Sequence, residues 1–406
     1  MKKTGLKIFF MAGIVLLCLL GNMSAPALAE QAQTVSRILS LIQEKDAVLL
    51  TDPQGKILAS GNAEKLLVPA SALKILTALV ALHYLGEDFR FVTECYSDKD
   101  NNLKIKGFGD PLFVSDMMPD FSRQIQTRIR HYKDLVLDDS VFQQPLRIPG
   151  VTETAEPYDA PNGAFCANFN TISFQKTSAG KYISAEPQTP LVPFALSRIR
   201  ASKTDSGRIV FSHSRGESVL YAGHLVAGFL SRQGVASSGQ VRIGRVDDGD
   251  RLLIRYVSPY ALTDVISRLM EYSNNFIANQ LFIAAGIRAY GLPGTIDKGI
   301  RASQEFLRKE LRIETLQLAE GSGISRENRL SAIQLDQLLI RFYPYRQLMR
   351  RQGNELYKTG TLNGIRSRAG YIEDGKGGSY RFVVMINTPG KTADPVMEII
   401  RGLAGS

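Results

Sequence analysis

The run Ile75-Leu76-Thr77-Ala78-Leu79-Val80-Ala81-Leu82 constrains this chain more than any other stretch. A helix over it is apolar on most of its circumference, so it has to lie inside the fold, with protein on every side. The approach is Val68-Pro69-Ala70-Ser71-Ala72-Leu73-Lys74, and Gly86 follows. These signals predict a helix entered at Ser71 and left at Gly86. Ser71 and Lys74, three apart, share one face of it. An amine beside a hydroxyl in a poorly solvated place suits an activated serine nucleophile. Taken alone, the pattern equally fits a capped core helix with one snorkelling lysine.

Residues 1–29 read as a secretory signal. Lys2, Lys3 and Lys7 give a basic start, Ile8 to Leu20 an apolar core, and Ala27-Leu28-Ala29 a small-x-small cleavage site. The apolar run is short for a membrane span. The whole chain carries 49 basic and 39 acidic residues, net +10, and loss of the signal leaves 46 against 39, net +7. The cations are scattered rather than gathered in runs, which argues against a nucleic-acid partner. His83, His131, His213 and His224 are dispersed without metal-ligand spacing, so no metal and no cofactor is expected. Cys95 and Cys166 survive signal removal; export permits a disulfide, and the sequence leaves open whether they pair.

Val35, Ile38, Leu39 and Ile42 recur at helical spacing, so the mature protein begins with an amphipathic helix. Residues 47–51 read as a strand, Asp52-Pro53-Gln54-Gly55 as a turn, and 56–59 as the returning strand. At the other end, residues 356–361, 368–372 and 380–386 read as strands, the last two joined by a turn at Gly375, Gly377 and Gly378, and a final helix covers about 395–403. The two ends are complementary, and both are expected to join one antiparallel sheet. Between them, residues 95–257 read as a separate strand-rich domain with one helix over 220–233. Helical patterning resumes at Ser258-Pro259, which predicts an N-cap with proline at the first helical position. It breaks at Tyr272-Ser273-Asn274-Asn275 and restarts at Phe276. Glu320-Gly321-Ser322-Gly323 reads as a flexible loop, and Ser331 as the cap of a helix carrying Leu335, Leu338 and Leu339.

Three short signals stand in order: Ser71-x-x-Lys74, Ser273-x-Asn275 and Lys358-Thr359-Gly360. Each is weak alone. Together, at a helix start, an inter-helix break and a strand, they form the set used by active-site-serine penicillin-recognising enzymes. Further landmarks are Pro69-Ala70-Ser71, Gly107-x-Gly109-Asp110-Pro111, Asp138-Asp139-Ser140-x-Phe142, Tyr158-x-Ala160-Pro161, Gly321-Ser322-Gly323-x-Ser325 and Lys358-Thr359-Gly360-Thr361. On these residues the chain resembles the class C low-molecular-mass penicillin-binding proteins, the D-alanyl-D-alanine carboxypeptidase/endopeptidase family of penicillin-binding protein 4. The 202 residues from Ser71 to Ser273 leave room for the family's inserted domains, though the gap is short enough that a second inserted subdomain is expected to be reduced. Glu320 stands where the family usually has Asp, a change expected to matter little for chemistry. Tyr272-Ser273-Asn274 also fits the Tyr-x-Asn of class C β-lactamases; gap length and landmarks favour Ser273-x-Asn275, which leaves Tyr272 as a packing residue.

The resemblance implies an α+β fold: a penicillin-binding/β-lactamase-like transpeptidase domain, an antiparallel sheet with helices on both faces, built from residues 30–94 and 258–406 around the insertion. It implies a periplasmic serine D-Ala-D-Ala peptidase acting on peptidoglycan stem peptides, acylated by β-lactam antibiotics and without a membrane span in the mature chain. Ser71 becomes the nucleophile and Lys74 its base, which requires an amine neutral near pH 7 against an ordinary value of about 10.4. Burial and a nearby Lys358 both push that way. Ser273 relays a proton to the leaving group, Asn275 holds Lys74 and the substrate amide, and Lys358 and Thr359 take the terminal carboxylate. Gly360 lets the strand approach the ligand, and the N–H groups of Ser71 and Thr361 form the oxyanion hole. The competing readings are a β-lactamase, for which no glutamate-bearing loop stands between the second and third motifs, and a non-catalytic wall-binding homologue.

Overall fold

The structure, a computed structural model, describes residues 25–404. The signal reading falls outside this range for residues 1–24. Helix α1 (Ala25–Ser40) leads into strands β1 (Asp46–Thr51) and β2 (Ile57–Gly61), and a 3-10 turn (Ala70–Leu73) runs into helix α2 (Lys74–Leu85). Every residue of α2 from Lys74 to Leu82 is buried, as its unbroken apolar circumference requires.

Between α2 and the second motif the chain forms β3 (Val92–Ser97), β4 (Leu103–Gly107), α3 (Met118–Gln126), β5 (His131–Tyr132), β6 (Leu135–Asp138), β7 (Thr171–Lys176), β8 (Tyr182–Ser184), α4 (Pro193–Ser202), β9 (Ser206–Val210), α5 (Arg215–Arg232), β10 (Ala236–Ser237), β11 (Val241–Ile243) and β12 (Arg251–Val257). A five-stranded sheet runs β11-β6-β4-β3-β12, and a three-stranded one β8-β7-β9. Their core, with Leu103, Phe121, Leu137, Phe174, Leu225 and Tyr256, draws its fully buried residues from 95–256 alone.

The remainder comprises α6 (Leu262–Tyr272), α7 (Asn275–Tyr290), α8 (Ile296–Leu311), α9 (Ala332–Phe342), β13 (Arg350–Gln352), β14 (Glu355–Leu362), β15 (Ile365–Glu373), β16 (Ser379–Ile386) and α10 (Asp394–Ala404). The two ends meet in one sheet, β13-β14-β15-β16-β1-β2, antiparallel throughout. Asp46 pairs with Ile386 and Thr51 with Arg381. The period of two then sorts side chains by face. Val48, Leu50, Phe382, Val384 and Ile386 pack with Ile38 of α1 and with Val396, Met397 and Ile400 of α10. Ala47, Leu49, Val383 and Met385 face the larger core around α2, α6, α7 and α9. Helices cover both faces, which is the α+β arrangement expected. No helix among the described residues is long and apolar enough to cross a membrane.

Three local expectations are corrected. Helix α6 starts at Leu262 rather than beside Ser258: the N–H groups of Ser258 and Leu262 still bond to Phe91 O and Phe89 O, and Asp264 accepts the Ala261 N–H at 2.9 Å. Tyr272 does not pack; it is 73 % exposed. The Glu320–Gly323 segment is not a flexible loop, for all four residues are buried and hydrogen-bonded. Cys95 and Cys166 are both buried free thiols.

Candidate active site

Ser71 sits in the 3-10 turn, not in the α-helix proper. The residue before it, Ala70, has φ +47, a left-handed backbone that costs a non-glycine residue free energy and here turns the serine into the cleft. Three residues later Lys74 opens the buried stretch of α2 with 0 % exposure. Its amine donates to Ser71 Oγ at 2.8 Å, Asn275 Oδ1 at 2.8 Å and the Ser322 carbonyl at 2.7 Å. Burial holds the Lys74 pKa well below the ordinary lysine value; the charge of Lys358 pushes the same way and Glu320 opposes it.

The second motif is delivered by the break between α6 and α7. Ser273 takes a left-handed conformation, φ +54, that ends α6. Asn274 caps α7 by accepting the Ile277 N–H at 3.1 Å. Asn275 is therefore the first residue of α7, with Oδ1 on Lys74 and Nδ2 donating to the Tyr158 carbonyl at 3.2 Å. Asn274 is spent on the cap and Tyr272 faces solvent, so the side chains that meet the two lysines are those of Ser273 and Asn275.

The third motif lies on β14. Lys358 donates to Ser273 Oγ at 2.7 Å and to the Thr359 carbonyl at 2.8 Å. Its pKa is lowered to about 7, by burial first and by the Arg350 charge second. Thr359 and Thr361 are exposed on the cleft strand, and Gly360 between them is buried. A Cβ on Gly360 would stand 2.8 Å from Ser71 N, 2.7 Å from Pro69 O and 2.2 Å from Ser367 Oγ. The strand therefore passes Ser71 at a distance no side chain permits. Ser367, opposite Gly360 on β15, donates to Pro69 O at 2.6 Å and ties the sheet to the serine turn.

The geometry thus forms two hydrogen-bonded groups, Ser71–Lys74–Asn275 and Ser273–Lys358, close enough for the Lys358 charge to act on Lys74. Gly360 of β14 lies against the Ser71 N–H, between the exposed Thr359 and Thr361. The geometry also adds groups not singled out as site residues from the sequence. Two act through main-chain carbonyls, Ser322 on Lys74 and Tyr158 on Asn275, and main-chain atoms leave no residue-type signal. A third is Gln280 of α7, which donates to Gly109 O and Gly163 O at 3.0 Å each, while Asn162 donates to Phe276 O and Gln280 Oε1. Of the sequence landmarks, Gly107-x-Gly109-Asp110-Pro111 meets α7 through Gly109 O, while the contacts at Asn162 and Gly163 follow directly after Tyr158-x-Ala160-Pro161.

The chain matches the D-Ala-D-Ala carboxypeptidase 3 (S13) family over residues 34–208 and 203–352. It is 26 % identical to the D-alanyl-D-alanine carboxypeptidase DacB of Haemophilus influenzae, over 82 % of this chain and 83 % of that protein. It is 25 % identical to a D-alanyl-D-alanine carboxypeptidase of Actinomadura sp., over 76 % of this chain and 68 % of that one. Among solved structures, penicillin-binding protein 4 of Haemophilus influenzae superposes with a TM-score of 0.74 at 22 % identity, covering 91 % of this chain and 98 % of that one. A predatory peptidoglycan endopeptidase of Bdellovibrio bacteriovorus shares the fold at a TM-score of 0.51 and 16 % identity, over 88 % and 90 % of the two chains. The protein belongs to the D-Ala-D-Ala carboxypeptidase 3 (S13) family and is a serine-type D-Ala-D-Ala peptidase.

Proposed function

We propose that the protein is an exported, periplasmic D-Ala-D-Ala carboxypeptidase/endopeptidase that works through an acyl-enzyme at Ser71. Ser71 Oγ attacks the carbonyl between the two D-alanines and gives its proton to the Lys74 amine. The C–N bond breaks as the proton held by Lys74 is relayed through the Ser273 hydroxyl to the departing D-alanine amine, which leaves Ser273 intact and Lys74 neutral again. Water then attacks the ester and gives a proton to Lys74, which returns it to Ser71 Oγ as the ester bond breaks. Lys74 is competent as a base because burial and the neighbouring Lys358 depress its proton affinity. Asn275 holds Lys74 and the substrate amide; Lys358 and Thr359 take the terminal carboxylate. The N–H groups of Ser71 and Thr361 receive the carbonyl oxygen as it gains charge, where fixed donors in a dry site act most strongly. Residues 95–257 are read as an inserted domain that walls the cleft through its 158–165 segment.

The observation that carries this reading is the 2.8 Å contact between the buried Lys74 amine and Ser71 Oγ. A solved relative, penicillin-binding protein 4 of Haemophilus influenzae, has been crystallised in complex with a β-lactam, which supports penicillins as covalent inhibitors here as well. Purified muropeptides, cross-linked and uncross-linked, test the substrate side by chromatography. Release of D-alanine from uncross-linked pentapeptides and conversion of cross-linked dimers to monomers are both expected. If neither is processed by a protein that is folded, the reading fails. Hydrolysis of benzylpenicillin with adduct lifetimes of seconds would instead make it a β-lactamase.

A further inference from the structure

Glu320 is fully buried, and no lysine or arginine lies within ion-pair distance of it among the described residues. A buried carboxylate in that position must be met by hydrogen-bond donors or it costs several kcal/mol. Six donors meet it. Oε2 accepts Ser322 N–H and Ser322 Oγ at 2.6 Å each and Asn279 Nδ2 at 3.1 Å. Oε1 accepts Gly323 N–H at 2.7 Å, Asn328 Nδ2 at 2.8 Å and Ser325 N–H at 3.3 Å. Four of the six come from the loop that follows it, so the carboxylate is the centre around which residues 321–325 are wound.

The loop is clamped from outside too. Gly321 N–H donates to Asn279 Oδ1 at 2.8 Å, and Thr77 of α2 donates to Gly321 O at 2.5 Å. Gly323 has φ +84, and a Cβ there would stand 2.0 Å from Ala70 O. The loop is thus pressed against the serine turn, and its one outward contact with the reacting groups is the Ser322 carbonyl on Lys74.

That carbonyl has a directional task. The protonated amine donates all three of its bonds; once neutral it keeps two N–H groups and one lone pair. Asn275 Oδ1 and Ser322 O can only accept, so they take the two N–H groups. The lone pair is then left for the Ser71 hydroxyl. We propose that Glu320 is a positioning residue for catalysis: its carboxylate fixes the 321–325 loop in the shape that turns the Ser322 carbonyl onto Lys74 and so aims the Lys74 lone pair at Ser71. The inference rests on the acyl-enzyme reading above. It also gives the buried glutamate a consequence for chemistry that its place in a glycine-rich segment conceals. The charged groups acting on Lys74 are Lys358 from β14, which lowers its proton affinity, and Glu320 from this loop, which raises it.

The test is the second-order rate of acylation by benzylpenicillin, followed by intact mass between pH 5 and 9, for the parent, Glu320→Gln and Glu320→Asp. Thermal unfolding supplies the folded fraction of each. Gln presents an N–H₂ group to donors that need an acceptor. Glu320→Gln is therefore expected to slow acylation at least tenfold per folded molecule. It should also move the acidic limb of the profile to lower pH, because the charge that raises Lys74 is gone. Glu320→Asp keeps the charge and should leave the limb in place with a smaller rate loss. If Glu320→Gln does not fold, Ser322→Ala removes one donor and retains the charge; slowed acylation with an unmoved limb is then expected, and a rate within twofold of the parent overturns the inference. So does a Gln variant whose loss merely follows its folded fraction with the limb unmoved. A folded parent that forms no adduct at Ser71 refutes the acyl-enzyme reading itself, which separates the two failures.

Discussion

Replacing Lys74 by Ala removes the group on which the proposed chemistry turns. The amine lies 2.8 Å from Ser71 Oγ, within direct proton-transfer reach. A positioned general base contributes roughly 10²–10⁴ in rate, or about 3–5 kcal/mol of barrier. The acylation rate with benzylpenicillin should fall by that factor. The carboxylate site proposed at Lys358 and Thr359 is untouched, so non-covalent affinity should hold. Stability changes in two directions. Asn275 Oδ1 and Ser322 O lose a donor, at about 1–3 kcal/mol each where water does not replace it. Against this, the parent carries a cost that the variant lacks. The folded-state pKa of Lys74 is depressed, so the unfolded chain binds its proton more tightly, and the cost is present at every pH below the unfolded value of about 10.4. It is lifted only as pH rises from the folded pKa to that value. The variant should therefore gain less stability than the parent between neutral pH and about 10. Stopped acylation with quenched mass analysis and urea unfolding at two pH values measure both effects. A variant that acylates within tenfold of the parent would show that Lys74 is not the base.

Gly360→Ala should push β14 off the serine turn, since two of the three atoms its Cβ meets are backbone. Such overpacking costs about 1–3 kcal/mol, and acylation should fall more than thermal stability does; an unchanged rate would deny the close approach a role. Lys358, with a pKa of about 7 in the free protein, should bind carboxylate ligands best when protonated, so kcat/KM should descend above about pH 7. A Lys358→Gln variant that keeps the same descending limb would assign it elsewhere. Cys95 and Cys166 should both titrate with a thiol reagent after unfolding under non-reducing conditions, and reductant should leave the melting temperature unchanged; one thiol pair missing from the titration would contradict the free-thiol state.

Much of the catalytic sheet could be read from the sequence because its strands carry their own signal. Phe382-Val383-Val384-Met385-Ile386 is apolar without alternation, and the fold explains this by burying both faces. The amphipathic α1 and the wholly apolar α2 were legible for the same reason, that each matches its burial to its period. Helix α8 carries the same kind of signal, with Ile296, Phe306 and Leu307 on its buried face, but the small residues Gly299, Ala302 and Ser303 between them dilute it. They are small because the backbone of Gly299 passes close to Gly286 of α7. Within the site, the three motifs were visible as side chains, and their order was enough to set them on one cleft. What escaped was carried by main-chain atoms or by context. The Ser322 and Tyr158 carbonyls have no sequence identity as acceptors. Glu320 before Gly-Ser-Gly reads as a flexible loop, although an acid followed by glycine and serine N–H groups, with Asn328 beyond them, is also the composition of a loop wound around its own carboxylate.

The proposed chemistry requires that Ser71 form the acyl-enzyme. Incubation with benzylpenicillin, proteolysis and peptide mapping by mass spectrometry test it directly. One penicilloyl group per chain is expected, on the peptide containing Ser71, lasting minutes or longer, and none on Ser71→Ala. An adduct on any other residue, or one that persists in Ser71→Ala, would contradict it.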